Sequence, residues 1–527
     1  MNMSRRDFNK LVAAGAVLLG ASALGYQGCH NRGKIDEPEP SGHNQNYVSY
    51  KNGVVDVQLP YTTEQLTQRN LRSREVFLIA NKTDPTRTVD VITGKYGHII
   101  SSSSRKHGIN PGSLEGIIYV ESGADSNDTN DSGAAGIVQI MPETADAYRM
   151  DVNYEMSEWY TSEIFRLKEA LEQESNSSRA DKIKGTIASY QIKRAAIDER
   201  FNPYKSIEIA ARYLGDEKEK FGRDDFAIWT YHAGRTNILN AIEKFLSPKP
   251  LIMAGKGIID IKGTMKKYGL TYADLYFGCS PYTTNPGSYN FLHNTLKDSS
   301  AQYPWNTMAA ERLVRMSKKD PLRFHALVDK IMHPKITRKG PIGEETTIWY
   351  NPDTDRQYTD VNEIISALDK GELVKLPKNP RALGFVVNKD EIGEYASPDV
   401  KKFFYSTKPE TVGMLITLAS IARHESGKYN QHLIVNSAVR SEAYQKRIPG
   451  GSEFTSHALG RGVDISRHYK SERQSRGLQY ALDSLIDANM IRALKEDENH
   501  LHLVVNSDPE VVKYFKAVYE QTMKLVA

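Results

Sequence analysis

Asn110-Pro111-Gly112-Ser113-Leu114-Glu115-Gly116-Ile117-Ile118-Tyr119-Val120-Glu121-Ser122-Gly123 is the stretch on which the fold turns. Ser113 reads as a helix N-cap. Leu114, Ile117 and Ile118 follow at helical spacing, and Glu121 falls on the same face. Gly123 stops the pattern, which places Glu121 at the C-terminal end of the helix. A carboxyl on an apolar stripe is hard to ionise, and the negative end of the helix dipole adds to the difficulty. A raised pKa is what a general acid at neutral pH requires. A lone Glu at a helix end more often just reaches solvent, so its neighbours decide the reading.

Those neighbours form an ordered series. Ser132-Gly133-Ala134-Ala135-Gly136 is small and lets a bulky ligand approach the backbone, and Ile137-Val138-Gln139-Ile140-Met141-Pro142 sets one amide in an apolar run. Downstream stand Asn202-Pro203 with Ile207, Ala210, Ala211, Arg212, Tyr213 and Leu214, then Ala227-Ile228-Trp229-Thr230-Tyr231-His232-Ala233-Gly234. The series, over about residues 95–245, resembles the soluble lytic transglycosylases, whose fold is mostly helical and lysozyme-like. The resemblance implies peptidoglycan glycan strands as substrate and Glu121 as the acid. Glu121 would protonate the bond between N-acetylmuramic acid and N-acetylglucosamine and then act as base, leaving a 1,6-anhydromuramic end. Gln139, Tyr231 and Ser132 are the candidate sugar contacts. His232 and Ser206 stand where the family usually has Asn. About 40 residues within 154–199, rich in Glu, Lys and Arg, are inserted and read as a charged helical hairpin. Ordinary glycosidases use a carboxylate pair, and Asp125, Asp128 and Asp131 keep that option open.

A second constellation lies near the other end. Ser456-His457-Ala458-Leu459-Gly460-Arg461-Gly462-Val463-Asp464-Ile465 joins a glycine turn to an apolar strand, and Asn499-His500-Leu501-His502-Leu503-Val504-Val505 reads as another strand. Period two puts His500 and His502 on one face. Two His and one Asp bind zinc with a fourth position open. The set resembles the zinc D-alanyl-D-alanine carboxypeptidases and LAS peptidases over about residues 400–510. By that resemblance zinc is the cofactor, His457, Asp464 and His502 are its ligands, and His500 is an auxiliary catalytic histidine. Peptidoglycan stem peptides would be the substrate, and Arg440 would clamp a terminal carboxylate. Thr455 stands where many members have Ser. The general base is open between Glu498 and Asp497. Without a base the domain would bind stem peptides rather than cut them, and with both sites dead the chain would be a wall-anchoring protein.

The expected architecture is multidomain: a mostly α lysozyme-like domain, then an α+β zinc-peptidase-like domain. Residues 1–28 read as an export signal, 29–60 as a polar tether, 61–245 as the lysozyme-like domain, 246–399 as either an extension of the glycan groove or a spacer, without assigned chemistry, and 400–527 as the second domain. Ser4-Arg5-Arg6-Asp7-Phe8 before an Ala/Gly-diluted apolar run resembles a twin-arginine signal, with a plain secretory signal or an N-terminal anchor as the alternative. Gly28-Cys29 reads as the end of a lipoprotein box, making Cys29 the lipidation candidate and the membrane a partner through a lipid anchor. Ala21-Ser22-Ala23 is a competing cleavage site. Either address is periplasmic or outer-membrane-attached in a bacterium. Only Cys29 and Cys279 are present, too few for a cysteine zinc cage. The net charge of +4 over 527 residues, with no basic tract interleaved with aromatics, argues against nucleic acid.

Overall fold

The computed structural model describes residues 46–247, 249, 253–254, 258–332, 356–388, 404–447, 455–495 and 499–527. Arg5, Arg6 and Cys29 lie outside the described residues, as do Asp497 and Glu498.

Part of the expected tether is a folded element. Strands β1 (Val48–Lys51) and β2 (Val54–Val57) form an antiparallel hairpin. Asn52 and Gly53 both take positive φ, the conformation that a two-residue hairpin turn needs. Val48, Val55 and Val57 are buried. That alternation and the Asn-Gly pair exclude a tether over 48–57. The hairpin docks far along the chain: Tyr47 N donates to Gln521 Oε1 at 2.9 Å and Val57 N to Ser420 Oγ at 2.9 Å. Helix α1 (Thr63–Asn81) follows, with a capping box between Thr62 and Gln65.

Helix α2 (Pro111–Glu121) is the expected one, but its N-cap is Asn110, whose side chain accepts from Gly112 N at 3.1 Å. Pro111 suits the first helical position because it has no N–H to satisfy. Ser113 is therefore buried inside the first turn and does not cap it. The inserted segment folds as two packed helices, α3 (Tyr154–Gln173) and α4 (Ser177–Ile197). Helices α5 (Pro203–Phe221) and α6 (Asp224–Ala233) carry the downstream motifs.

Part of the 246–399 region packs against the helices that precede it. Helix α7 (Lys297–Lys319) lies along α1, α2 and α6. The approach to α2 is close: a Cβ on Gly116 would meet the Thr307 carbonyl oxygen at 2.3 Å. Gly116 thus costs some helix propensity but lets α7 reach the end of α2.

The C-terminal unit contains a five-stranded sheet. In chain order its elements are β3 (Phe385–Val387), α8 (Pro409–Ser426), β4 (Leu433–Ser437), β5 (Gly462–Ser466), α9 (Glu472–Asp487), β6 (Ile491–Lys495), β7 (His500–Val505) and α10 (Pro509–Val526). The strand order is β6-β7-β5-β4-β3, antiparallel except for the β4–β3 pair. Helix α8 is buried along most of its length between α9 and α10. The apolar core runs continuously from Val48 through α2, α7 and α8 to Val518. Among the described residues no helix is long and apolar enough to cross a membrane.

Candidate functional site

Glu121 sits at the last position of α2. Tyr303, buried on α7, donates its hydroxyl to Glu121 Oε1 at 2.6 Å. Burial raises the Glu121 pKa to about 7, and the nearby Asp128 carboxylate adds to the rise. The Tyr303 hydrogen bond and the Lys82 cation pull the other way. A carboxyl with a midpoint near neutrality is half protonated where a general acid must work.

The surroundings of Glu121 are stiffened by polar contacts. Ser122 Oγ donates to the Ile137 carbonyl at 2.7 Å and Tyr231 Oη to the Val138 carbonyl at 2.8 Å. Both contacts hold the segment that crosses in front of α2. Tyr231 also packs edge-on against Tyr213, with ring centroids 5.4 Å apart. Gln139 is buried in a left-handed conformation, and its amide donates to the Asp128 and Gly136 carbonyls at 3.1 and 2.9 Å. Its NH₂ group thus braces the loop. Ser132 is exposed on that loop, and its backbone N–H donates to Asn130 Oδ1. Asp128 is partly buried and its pKa is raised, chiefly by burial and by Asp125. His232 stacks face to face on Tyr303 at 4.4 Å with an 11° tilt.

Sequence reasoning missed Tyr303 and Lys82. Both lie outside the motif series, and neither has a local pattern that would single it out. The packing of α7 against α2 brings Tyr303 to Glu121, and the Lys82 side chain reaches across to the end of α2.

The second constellation also comes together. His502 on β7 pairs directly with Asp464 on β5 in the sheet register, and His457 lies in the turn before β5. His457 Nε2 is 3.1 Å and His502 Nδ1 2.8 Å from Asp464 Oδ1. All three residues are buried, with ligand atoms within 4.8 Å of one another. His457 Nδ1 lies 2.6 Å from the Ala438 carbonyl, which fixes Nδ1 as the protonated nitrogen and leaves Nε2 to face Asp464. His502 Nε2 lies 2.7 Å from Ser456 Oγ. Burial pushes the His457 pKa down to about 4, against the pull of Asp464. Burial alone would raise Asp464, but His457, His502 and Arg440 outweigh it and hold the carboxyl well below the usual range. A neutral imidazole and an ionised carboxylate are the forms that ligate a metal. A buried N,N,O donor set of this kind fits zinc.

Arg440 is turned onto the cluster. Its Nη2 donates to Asp464 Oδ2 at 2.5 Å and to Ser437 Oγ at 2.6 Å. It thus orients the candidate ligand in this arrangement, and the expected clamp on a substrate carboxylate would have to share the guanidinium. Thr455 accepts from His457 N at 3.3 Å at the start of the turn. His500 is half-buried on β7, opposite Ser466.

No solved structure matches the chain. The model of the Transglycosylase SLT domain family matches residues 98–164 and 180–250. The gap between these segments falls on the distal part of the α3–α4 hairpin. The match takes in Glu121, Gln139 and Tyr231 but neither Lys82 nor Tyr303, and it identifies the region from 98 to 250 as a Transglycosylase SLT domain.

Proposed function

We propose that this protein is a peptidoglycan-remodelling enzyme whose first activity cuts the glycan strand between N-acetylmuramic acid and N-acetylglucosamine. The observation that carries the reading is the Glu121 carboxyl of the matched region, lifted to about 7 and held by Tyr303 from outside that region. Glu121 donates its proton to the glycosidic oxygen. The resulting carboxylate then takes the proton of the muramic 6-hydroxyl as that oxygen attacks the anomeric carbon. Water is not consumed, and the product ends in 1,6-anhydromuramic acid. Gln139 braces the loop beside the sugar, Tyr231 fixes the Val138 backbone, and exposed Ser132 is free to meet a sugar hydroxyl. An extracytoplasmic bacterial location goes with such a substrate, and the lipid anchor at Cys29 belongs to the same proposal.

A second activity is proposed for the buried cluster. His457, Asp464 and His502 would hold zinc, which when bound polarises a peptide carbonyl and activates water. Arg440 and Ser437 keep the Asp464 carboxylate ionised and aimed, Ala438 sets the His457 tautomer, and Thr455 steadies the turn. His500, from the same strand as His502, is the candidate for orienting a stem peptide, with Glu498 as the candidate base. The substrate would be a D-amino-acid stem peptide or crosslink.

One experiment tests both readings: digestion of purified peptidoglycan, with products identified by mass spectrometry, with and without chelator. Anhydromuramic ends that survive chelation support the glycan activity, whereas reducing ends mean hydrolysis and overturn it. Losses of D-alanine or of crosslinks that disappear with chelator support the peptidase. His457→Ala should lower bound zinc from about one ion per chain to near none, read by elemental analysis, and leave anhydromuropeptide yield within about twofold. Full zinc retention in that variant would sink the ligand assignment.

Tyr303→Phe removes a hydrogen bond that favours the Glu121 carboxylate. The Glu121 midpoint should rise, and with it the alkaline limb of the pH–rate profile. The rate at the optimum should fall by about tenfold, a typical cost for one such bond in a transition state. An unmoved limb would mean that Tyr303 does not govern the acid.

A further inference from the structure

We infer that Lys82 is a positioning residue for the glycan reaction: its ammonium, lodged at the C-terminal end of α2, stabilises the carboxylate that Glu121 becomes after giving up its proton. The inference rests on the reading of Glu121 as the acid.

Lys82 is the residue that ends α1, and its backbone N–H donates to Ile79 O. Its side chain crosses to α2, where Nζ donates to the Tyr119 carbonyl at 2.9 Å and lies over the Tyr119 ring. That carbonyl is among the last of α2, which have no intrahelical partner. The cation therefore satisfies an orphan acceptor and offsets the negative end of the helix dipole, two residues before Glu121.

The chain after Glu121 is shaped to admit it. Gly123 takes φ +63°, and a Cβ there would lie 2.6 Å from Lys82 Cε and 2.8 Å from Nζ. A side chain at 123 would displace the end of the lysine from this position. The glycine that ends the helix is thus also the gap through which the ammonium reaches the site.

The groups that face Glu121 come from every element around it. Tyr303 is on α7, Asp128 on the loop after α2, Tyr231 on α6 and Lys82 at the end of α1. Asp128 repels the carboxylate and Lys82 attracts it; the two tyrosines are neutral, their phenols pushed well above their ordinary range. Burial lowers the Lys82 pKa, while Asp128 and Glu121 oppose the fall. Among these groups Lys82 supplies the positive charge.

This placement answers a need of a one-carboxyl mechanism. Glu121 must be a proton donor first and a base next, so its anion has to be tolerable in a partly buried site. A nearby fixed cation lowers the cost of that anion without transferring a proton itself.

The test is a titration of the Glu121 side-chain carboxyl by ¹³C NMR in the full chain, with the resonance assigned by its loss in Glu121→Gln. Lys82→Met should move the midpoint upward by about one unit, the effect of losing one close opposite charge, and Lys82→Arg should return it to within a few tenths of wild type. The alkaline limb of anhydromuropeptide formation should follow the midpoint. A midpoint in Lys82→Met that coincides with wild type overturns the inference. If Lys82→Met does not fold, Lys82→Gln makes the same comparison. The titration needs no turnover, so an absence of anhydromuramic products would overturn the glycan reading alone.

Discussion

Glu121→Gln is expected to lower anhydromuropeptide formation by about 10³-fold or more while leaving the protein folded. The amide keeps the shape of the acid and can still meet the Tyr303 hydroxyl, but it can neither give nor take the reacting proton. General acid–base catalysis by a positioned group contributes about 10²–10⁴-fold, and in the proposed reaction one group serves both steps. The measurement is the yield of anhydromuramic products by mass spectrometry at fixed enzyme. Product that persists at a tenth of the wild-type rate would move the chemistry to another carboxyl, with Asp128 first in line. The same variant makes a stability prediction. The Glu121 pKa is raised in the folded protein, from 4.5 to about 7. A group raised in this way favours the fold fully below its unfolded midpoint, and the contribution is lost as pH rises through the folded one. Glu121→Gln should therefore match wild type at pH 4 and be more stable than it at pH 8, read from denaturant midpoints at the two values.

The helix that carries Glu121 was legible because its signals are local. Leu114, Ile117 and Ile118 are buried at helical spacing, and Gly123 stops the helix. The α3–α4 hairpin was legible for the same reason, as were the strands of His502 and Asp464, where an alternating pattern meets glycine punctuation. The partners of these groups were not legible. Tyr303 lies 182 residues from Glu121, and Lys82 reaches Tyr119 across 37. Pairing at that distance is decided by which helix faces meet, and no periodicity within one segment encodes it. The role of Arg440 has the same origin. In sequence it is an arginine near a strand end, and its engagement with Asp464 exists because β4 and β5 are neighbours. The β1–β2 hairpin is a different kind of miss. Its Asn-Gly turn is a local signal, overshadowed by the polar stretch before it.

Asp487→Ala is expected to destabilise the whole molecule by about 3–5 kcal/mol, because it strands a buried arginine. Arg74 on α1 donates to Asp487 Oδ1 at 2.9 Å at the end of α9, and both side chains are less than a tenth exposed. Tyr276 Oη donates to Asp487 Oδ2 at 3.1 Å, and Arg74 Nη1 donates to Gln302 Oε1 at 3.0 Å. The aspartate thus ties α1 and the short helix Tyr272–Phe277 to the C-terminal unit. Arginine keeps its proton in proteins, so removal of the carboxylate leaves a full charge without its counter-ion. The core is continuous across this junction, so the loss should be felt by both sites together. Gln302 precedes Tyr303, the hydrogen-bond donor to Glu121, and a loosened Arg74 should also blunt glycan cleavage. Denaturant unfolding with two probes, one reporting each unit, checks the claim. Both transitions should shift to lower denaturant by the same amount, and a shift confined to one probe would mean that the units fold independently. Arg74→Met combined with Asp487→Leu should recover most of the loss, since replacing both partners of a buried pair by apolar groups removes the stranded charge. If the double variant is as weak as Asp487→Ala alone, the destabilisation comes from Tyr276 or from lost packing, and the ion pair is not what holds the two halves together.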